Sequence, residues 1–222
     1  MTDQALIDYL TTFITPERRA RLDEILAQRT RHLTVVLEDL QLEHNASAVM
    51  RSCEAFGVQD IHVIEQGHEF NPNIFISMGT ERWLTLHHYW DTASCFAQLR
   101  GQGYRILATS PHTSEISIRE LPVKQPIALV FGNELRGIST LAQTQADGLV
   151  YIPMRGFCES FNLSVSTALC LYELTERLPQ EQPHWQLSPA QQQELRLAWL
   201  RYTVKASAAL ERLFRKQRGT QP

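Results

Sequence analysis

Leu33-Thr-Val-Val-Leu37, Asn45-Ala-Ser-Ala-Val-Met-Arg-Ser-Cys-Glu-Ala-Phe56 and Ile61-His-Val-Ile64 follow one another with periods that read strand, helix, strand. The first stretch is β-branched and apolar, the second has helical spacing, and the third is a short buried strand. Further along, Trp83–Tyr89 and Arg105–Thr109 read as strands on either side of a helix at Thr92–Leu99. Ile127–Phe131 and Leu149–Ile152 are continuous apolar runs, as expected of parallel strands covered on both faces. This alternation predicts an α/β fold, a parallel sheet with flanking crossover helices. No G-x-G-x-x-G follows the first strand and no G-x-x-x-x-G-K-[ST] occurs, so the signatures of Rossmann and P-loop nucleotide binding are missing.

Helical segments flank this core. Leu6, Ile7, Leu10 and Phe13 mark a helix over 3–13, and Thr15-Pro16-Glu17 supplies a cap and a first-turn proline for a second, rich in arginine. Phe161–Leu178 reads as an apolar helix broken by small polar residues. After it, Ser188-Pro-Ala-Gln191 caps a basic tail helix. The expected division is an N-terminal helical extension over 1–32, a core domain over 33–178 and a C-terminal basic extension over 188–222.

The 222 residues are 43% apolar and 20% charged, the balance of a globular chain rather than a disordered one. A net charge of −3 does not by itself point to nucleic acid, although RNA contacts depend on local patches. Four widely spaced cysteines with no C-x-x-C pair argue against a zinc site or a disulfide framework and fit a reducing cytoplasm. No apolar run reaches the ~18 residues of a membrane span, and no secretory leader pattern opens the chain.

Three segments carry polar residues where strands end, the usual site position in open α/β sheets. They are Asn45-Ala-Ser-Ala-Val-Met-Arg51, Phe131-Gly-Asn-Glu-Leu-Arg-Gly137 and Ile152-Pro-Met-Arg-Gly-Phe-Cys-Glu-Ser-Phe-Asn-Leu-Ser-Val-Ser166. Their order and internal spacing resemble the three motifs of the SpoU (TrmH) branch of the SPOUT RNA methyltransferases. The resemblance runs from about Arg18 to about Leu178. It implies transfer of a methyl group from S-adenosylmethionine to a ribose 2′-oxygen, a deep trefoil knot at the C-terminal end of the core, and a homodimer.

On that resemblance the catalytic candidates are Asn45, Arg51, Glu134, Ser160 and Asn162. Each has a plainer reading beside it. Asn45 and Ser160 stand where helix N-caps stand, Arg51 can be a solvated surface arginine, and Glu134 a loop glutamate. In the functional reading Arg51 clamps an acceptor phosphate, because a guanidinium pKa above about 12 makes a poor base. Its side chain is expected to lean back toward the helix start near Asn45. Glu134 then orients Arg51 or stabilises developing positive charge, with Asn133 and Arg136 beside it as further acceptor contacts.

The same resemblance places the cofactor among Thr109, Ser110, Val130, Phe131, Gly132, Ile152, Met154, Phe161 and Leu163. Gly132 suits that place because a residue without a side chain lets the backbone approach a ligand closely. Arg21, Arg29 and His44 are the RNA-contact candidates, and no metal is expected. His87 and His88 lack a third ligand at metal spacing and read as structural. With only two short helices before the first strand and a basic tail, the chain looks more like the tRNA-modifying members of the branch, which act on a D-loop guanosine. A ribosomal RNA methyltransferase and a catalytically silent RNA-binding protein of the same fold are the competing readings.

Overall fold

The computed structural model describes residues 3–67, 70, 73–111 and 116–219. The chain divides into two compact units, Thr30–Trp185 and the pair Met1–Arg29 with Gln186–Pro222. The two terminal extensions, read separately from the sequence, therefore belong to one unit.

The larger unit is built on seven strands, β1 (Leu33–Glu38), β2 (Asp60–Ile64), β3 (Thr85–Tyr89), β4 (Arg105–Thr109), β5 (Ile116–Ser117), β6 (Ile127–Phe131) and β7 (Leu149–Tyr151). They form one sheet in the order β3-β2-β1-β6-β4-β7-β5, and every pairing is parallel. β1 and β6 lie side by side at the centre, with Val35 opposite Leu129 and Leu37 opposite Phe131.

Alternating residues of each strand feed two cores, because successive side chains point to opposite faces. Leu33, Val35 and Leu37 join Val49, Met50 and Cys53 of helix α3 (Glu43–Ala55) and Leu171 and Leu174 of helix α7 (Leu163–Glu181). Val36, Ile106, Ala128 and Val130 pack on the opposite face against Phe96 and Leu99 of helix α5 (Thr92–Gly101) and Ala142 of helix α6 (Thr140–Gln145). Burial on both faces explains why β6 reads as an unbroken apolar run, while β1 and β2, equally buried, carry polar residues such as Thr34 and His62 that bond within the core. A four-residue helix α4 (Ile74–Ser77) docks beside α3, where Ser47 Oγ accepts from the Asn73 amide at 2.8 Å.

The smaller unit holds α1 (Asp3–Thr11), α2 (Pro16–Ala27), α8 (Pro189–Thr203) and α9 (Ser207–Gly219). Thr15 caps α2 and a full capping box at Ser188 and Gln191 starts α8, both as the sequence suggests. The tail is two helices rather than one. Ala206 takes a positive φ of 57°, which breaks the run before Ser207.

Candidate active site

The three motif segments meet where β1, β6 and β7 end. Helix α3 begins at Glu43, two residues earlier than the spacing indicates, so Asn45 sits inside its first turn and the N-cap position falls on Leu42, whose side chain makes no cap bond. Asn45 is 1% exposed and works across the chain instead. Its Nδ2 donates to Glu134 Oε1 at 3.0 Å, and its Oδ1 accepts from Asn162 Nδ2 at 3.2 Å. One amide thus links all three motifs.

Glu134 instead pins the chain just ahead of α3 and the first-turn Asn45 side chain. Its carboxylate accepts from the backbone N–H of Gln41 (3.1 Å) and of Leu42 (3.3 Å) as well as from Asn45. Burial alone would raise its pKa, but the hydrogen bonds from Asn45, Gln41, Leu42 and its own backbone outweigh that and hold it below the usual glutamate value. A carboxylate so held stays ionised near neutral pH.

Asn162, not Ser160, caps α7, accepting from the Ser164 N–H at 2.9 Å and from the Ser164 hydroxyl at 2.6 Å. The Asn162 side chain therefore joins the start of α7 to Asn45, while Ser160 is exposed in the preceding loop.

These residues line a cleft of about 870 Å³. Of the cofactor candidates, Thr109, Ser110, Phe131, Gly132, Ile152, Met154, Phe161 and Leu163 stand in its walls. Val130 does not, being fully buried in β6, where its carbonyl accepts from Thr109 Oγ1 at 2.9 Å. The volume lies in the range usual for small-molecule sites.

Gly132 meets a constraint beyond the one read in the sequence. A Cβ there would lie 2.3 Å from the carbonyl carbon and oxygen of Gly137 and 2.4 Å from the Ile138 nitrogen. The 132–138 loop folds back on the glycine, so it is the chain's own backbone that makes the close approach. Asn133 closes that loop. Its Oδ1 accepts from the N–H of Leu135 (2.9 Å) and Arg136 (3.1 Å), while its Nδ2 donates to the Asp39 carbonyl at 2.7 Å.

Arg51 is not among the cleft-lining residues. Its guanidinium donates to the Ile76 carbonyl at 3.3 Å, from an exposed position. His44 is exposed beside the cleft-lining Asn45. In the smaller unit Arg21 is exposed and paired with Glu24 at 2.7 Å. Arg29, by contrast, is 1% exposed, with its guanidinium 5.3 Å from the Trp199 ring centroid. The RNA-contact reading of Arg29 is therefore corrected: a side chain packed inside its own unit has no surface to offer RNA.

Asp39, Gln143 and Glu159 were missed in the sequence. The last two line the cleft, as does Ser166 at the end of the third motif. Only Asp39 had a readable signal, an acidic residue at the C-terminal end of a strand. Among the described residues no cluster of three His, Cys, Asp or Glu side chains could hold a metal, and no helix is long and apolar enough to cross a membrane.

The sequence model of the SpoU rRNA Methylase family matches residues 32–172. The chain belongs to that family. A relative in Borreliella burgdorferi, named tRNA (guanosine(18)-2′-O)-methyltransferase, is 37% identical over 215 residues, covering 96% of this chain and 99% of its own. The Escherichia coli protein of the same name is 35% identical over 160 residues, 72% of this chain and 70% of its own. Among solved structures, the Aquifex aeolicus TrmH/SpoU tRNA modifying enzyme superposes with a TM-score of 0.76 at 30% identity, covering 85% of this chain and 98% of that one. The SpoU segment at 32–172 contains α3, the 132–138 loop and the start of α7, and so all three parts of the Asn45 hub.

Proposed function

We propose that this chain is an S-adenosylmethionine-dependent tRNA 2′-O-ribose methyltransferase whose target is guanosine 18 in the D-loop. The observation that carries the reading is the Asn45 hub, which gathers Glu134 and Asn162 at the wall of one large cleft. The similarity to the B. burgdorferi tRNA methyltransferase along nearly the whole chain gives the substrate class.

The walls suit this cofactor. Leu149, Ile152, Phe161 and Leu163 offer apolar surface for an adenine, while Glu134 and Glu159 offer negative charge to a sulfonium. When bound, S-adenosylmethionine supplies an electrophilic methyl group. The chain's residues must place the ribose hydroxyl in line with it, exclude water and neutralise the neighbouring phosphate. Asn45, Asn162 and Ser160 are the polar groups at the acceptor side, and Glu134 fixes Asn45. Arg51, exposed and bonded to a neutral carbonyl, exchanges that bond for a charge-assisted one to the acceptor phosphate.

The active form is a homodimer with the C-terminal knot of the SPOUT fold. Supporting the dimer, Val165, Leu169 and Tyr172 make one stripe on α7 and are 45%, 39% and 56% exposed. Arg21 of one subunit is proposed to reach RNA beside Arg51 of the other, in the cytoplasm where tRNA matures.

Incubation with methyl-labelled cofactor and total tRNA or ribosomal RNA, followed by nucleoside mass spectrometry, tests the reading. The expected product is 2′-O-methylguanosine at tRNA position 18. Label confined to ribosomal RNA, or no label in either, overturns it.

A further inference from the structure

Arg136 is the one lysine or arginine among the described residues lining the cleft, and it is held at both ends. Its backbone N–H donates to Asn133 Oδ1, and its Nη2 donates to Asp39 Oδ2 at 2.6 Å. The two partners differ in setting, with side-chain exposures of 68% for Arg136 and 10% for Asp39. Asp39 directly follows β1 with a φ of 53°, a region that non-glycine residues seldom occupy. What fixes it there is a clasp on three strand ends. Its carbonyl accepts from Asn133 after β6, its Oδ1 from the Gly67 N–H (2.7 Å) after β2, and its Oδ2 from Arg136.

We propose that Asp39 is a positioning residue that parks the Arg136 guanidinium at the cleft until a phosphate of the incoming RNA takes it over. This rests on the reading of the cleft as an RNA-methylation site. The exchange is chemically even-handed. Ion pairs with one solvated partner are weak in water, and a phosphate offers the same guanidinium a two-pronged contact. When Arg136 leaves, Asp39 keeps the Gly67 N–H, so no buried carboxylate is stranded. Asp39 thus lowers RNA affinity by competition while keeping the Arg136 guanidinium beside the place where it acts.

Equilibrium binding of tRNA without cofactor, measured over a salt series, reads this out in four proteins: parent, Arg136→Ala, Asp39→Asn and the double variant. Asparagine tolerates positive φ and still accepts from Gly67, so Asp39→Asn removes the charge and leaves the clasp. Arg136→Ala is expected to weaken binding roughly 5- to 10-fold and lower the log–log salt slope by about one unit. Asp39→Asn is expected to tighten binding about 3- to 10-fold, and that gain is expected to vanish in the Arg136→Ala background. A merely structural Asp39 would not move the salt slope or show this dependence.

Should Asp39→Asn melt well below the parent, Arg136→Gln reports on the same cation with Asp39 untouched. The proposal is overturned if Asp39→Asn acts equally with and without Arg136, if neither Arg136 variant changes affinity or slope, or if the parent has no affinity for tRNA. Failure of the methylation reading looks different: tRNA bound with the expected coupling but never methylated.

Discussion

Asn45 and Glu134, 89 residues apart in sequence, are joined by a 3.0 Å hydrogen bond in which the amide of the first motif donates to the carboxylate of the second. Asn45→Ala removes that donor and the acceptor for Asn162 together. The expected cost is roughly 1–3 kcal/mol of stability, the usual result of stranding polar partners. Methyl transfer is expected to fall by about 100-fold, the scale for loss of a preorganised polar contact. Urea unfolding and single-turnover rates check both, and a variant with parental stability and rate would remove Asn45 from the centre of the site.

Gly132→Ala brings a methyl group against the Gly137–Ile138 backbone, which is not the flexible end of a side chain. Overpacking of this kind costs roughly 1–3 kcal/mol. The 132–138 loop must move, so cofactor affinity should fall at least about 10-fold with stability, measured by calorimetric titration and thermal melting. At Gly137, φ is 68° with open space around the missing Cβ, so Gly137→Ala should show only the backbone penalty, roughly 1–2 kcal/mol. Equal behaviour of the two variants would refute the collision.

Arg51→Ala is expected to slow transfer to saturating tRNA by about 100-fold or more. Because Arg51 lies outside the cleft walls, affinity for S-adenosylmethionine should stay within a few-fold. Near-normal turnover in the variant would end the clamp role.

Arg21 and Arg29 should part company. Arg21→Ala is expected to raise the apparent KM for tRNA and lower its salt slope by about one unit. Arg29→Ala is expected to lower the melting temperature, since it empties a fully buried position against Trp199. A complementation assay extends the dimer proposal: mixed Arg21→Ala and Arg51→Ala chains should regain activity, and a fully active monomer in sedimentation would refute it.

His62 gives the fold a pH dependence. Burial first, then the stacked His87, push its pKa down to about 4, against an opposing pull from Asp60. The unfolded chain takes up this proton near 6.5, while the folded chain stays neutral. The stabilisation is therefore complete above about pH 6.5 and is lost as pH falls toward 4. Between pH 7.5 and 5 the parent should lose about 2 kcal/mol more than His62→Gln in urea titrations. Parallel losses would show that His62 titrates normally.

Much of the core was legible in the sequence because two-sided burial writes itself as apolar runs. β4 and β6 fall on the residues their composition indicated, Arg105–Thr109 and Ile127–Phe131. Short elements left no such trace: α4, β5 and α6 span four, two and six residues, too few for a period to show. The motif residues were visible as a set, but their wiring was not. A carboxylate 89 positions away holds Asn45 at the start of α3, and Arg51 bonds the Ile76 carbonyl, partners set by the tertiary fold rather than by neighbours in the chain. Arg29 misled for a related reason: nothing in its flanking residues announces that Trp199 will cover it.

The central pairing of β1 with β6 sets Leu33 against Ile127 and Leu37 against Phe131, contacts that close a loop of more than ninety residues. Loop closure on that scale is entropically slow, and topologies dominated by such distant contacts fold slowly. The bond between Asn45 and Glu134 spans the same two strand ends. A chain that has not yet made this closure consequently has no assembled hub, and half-made molecules are catalytically mute by construction.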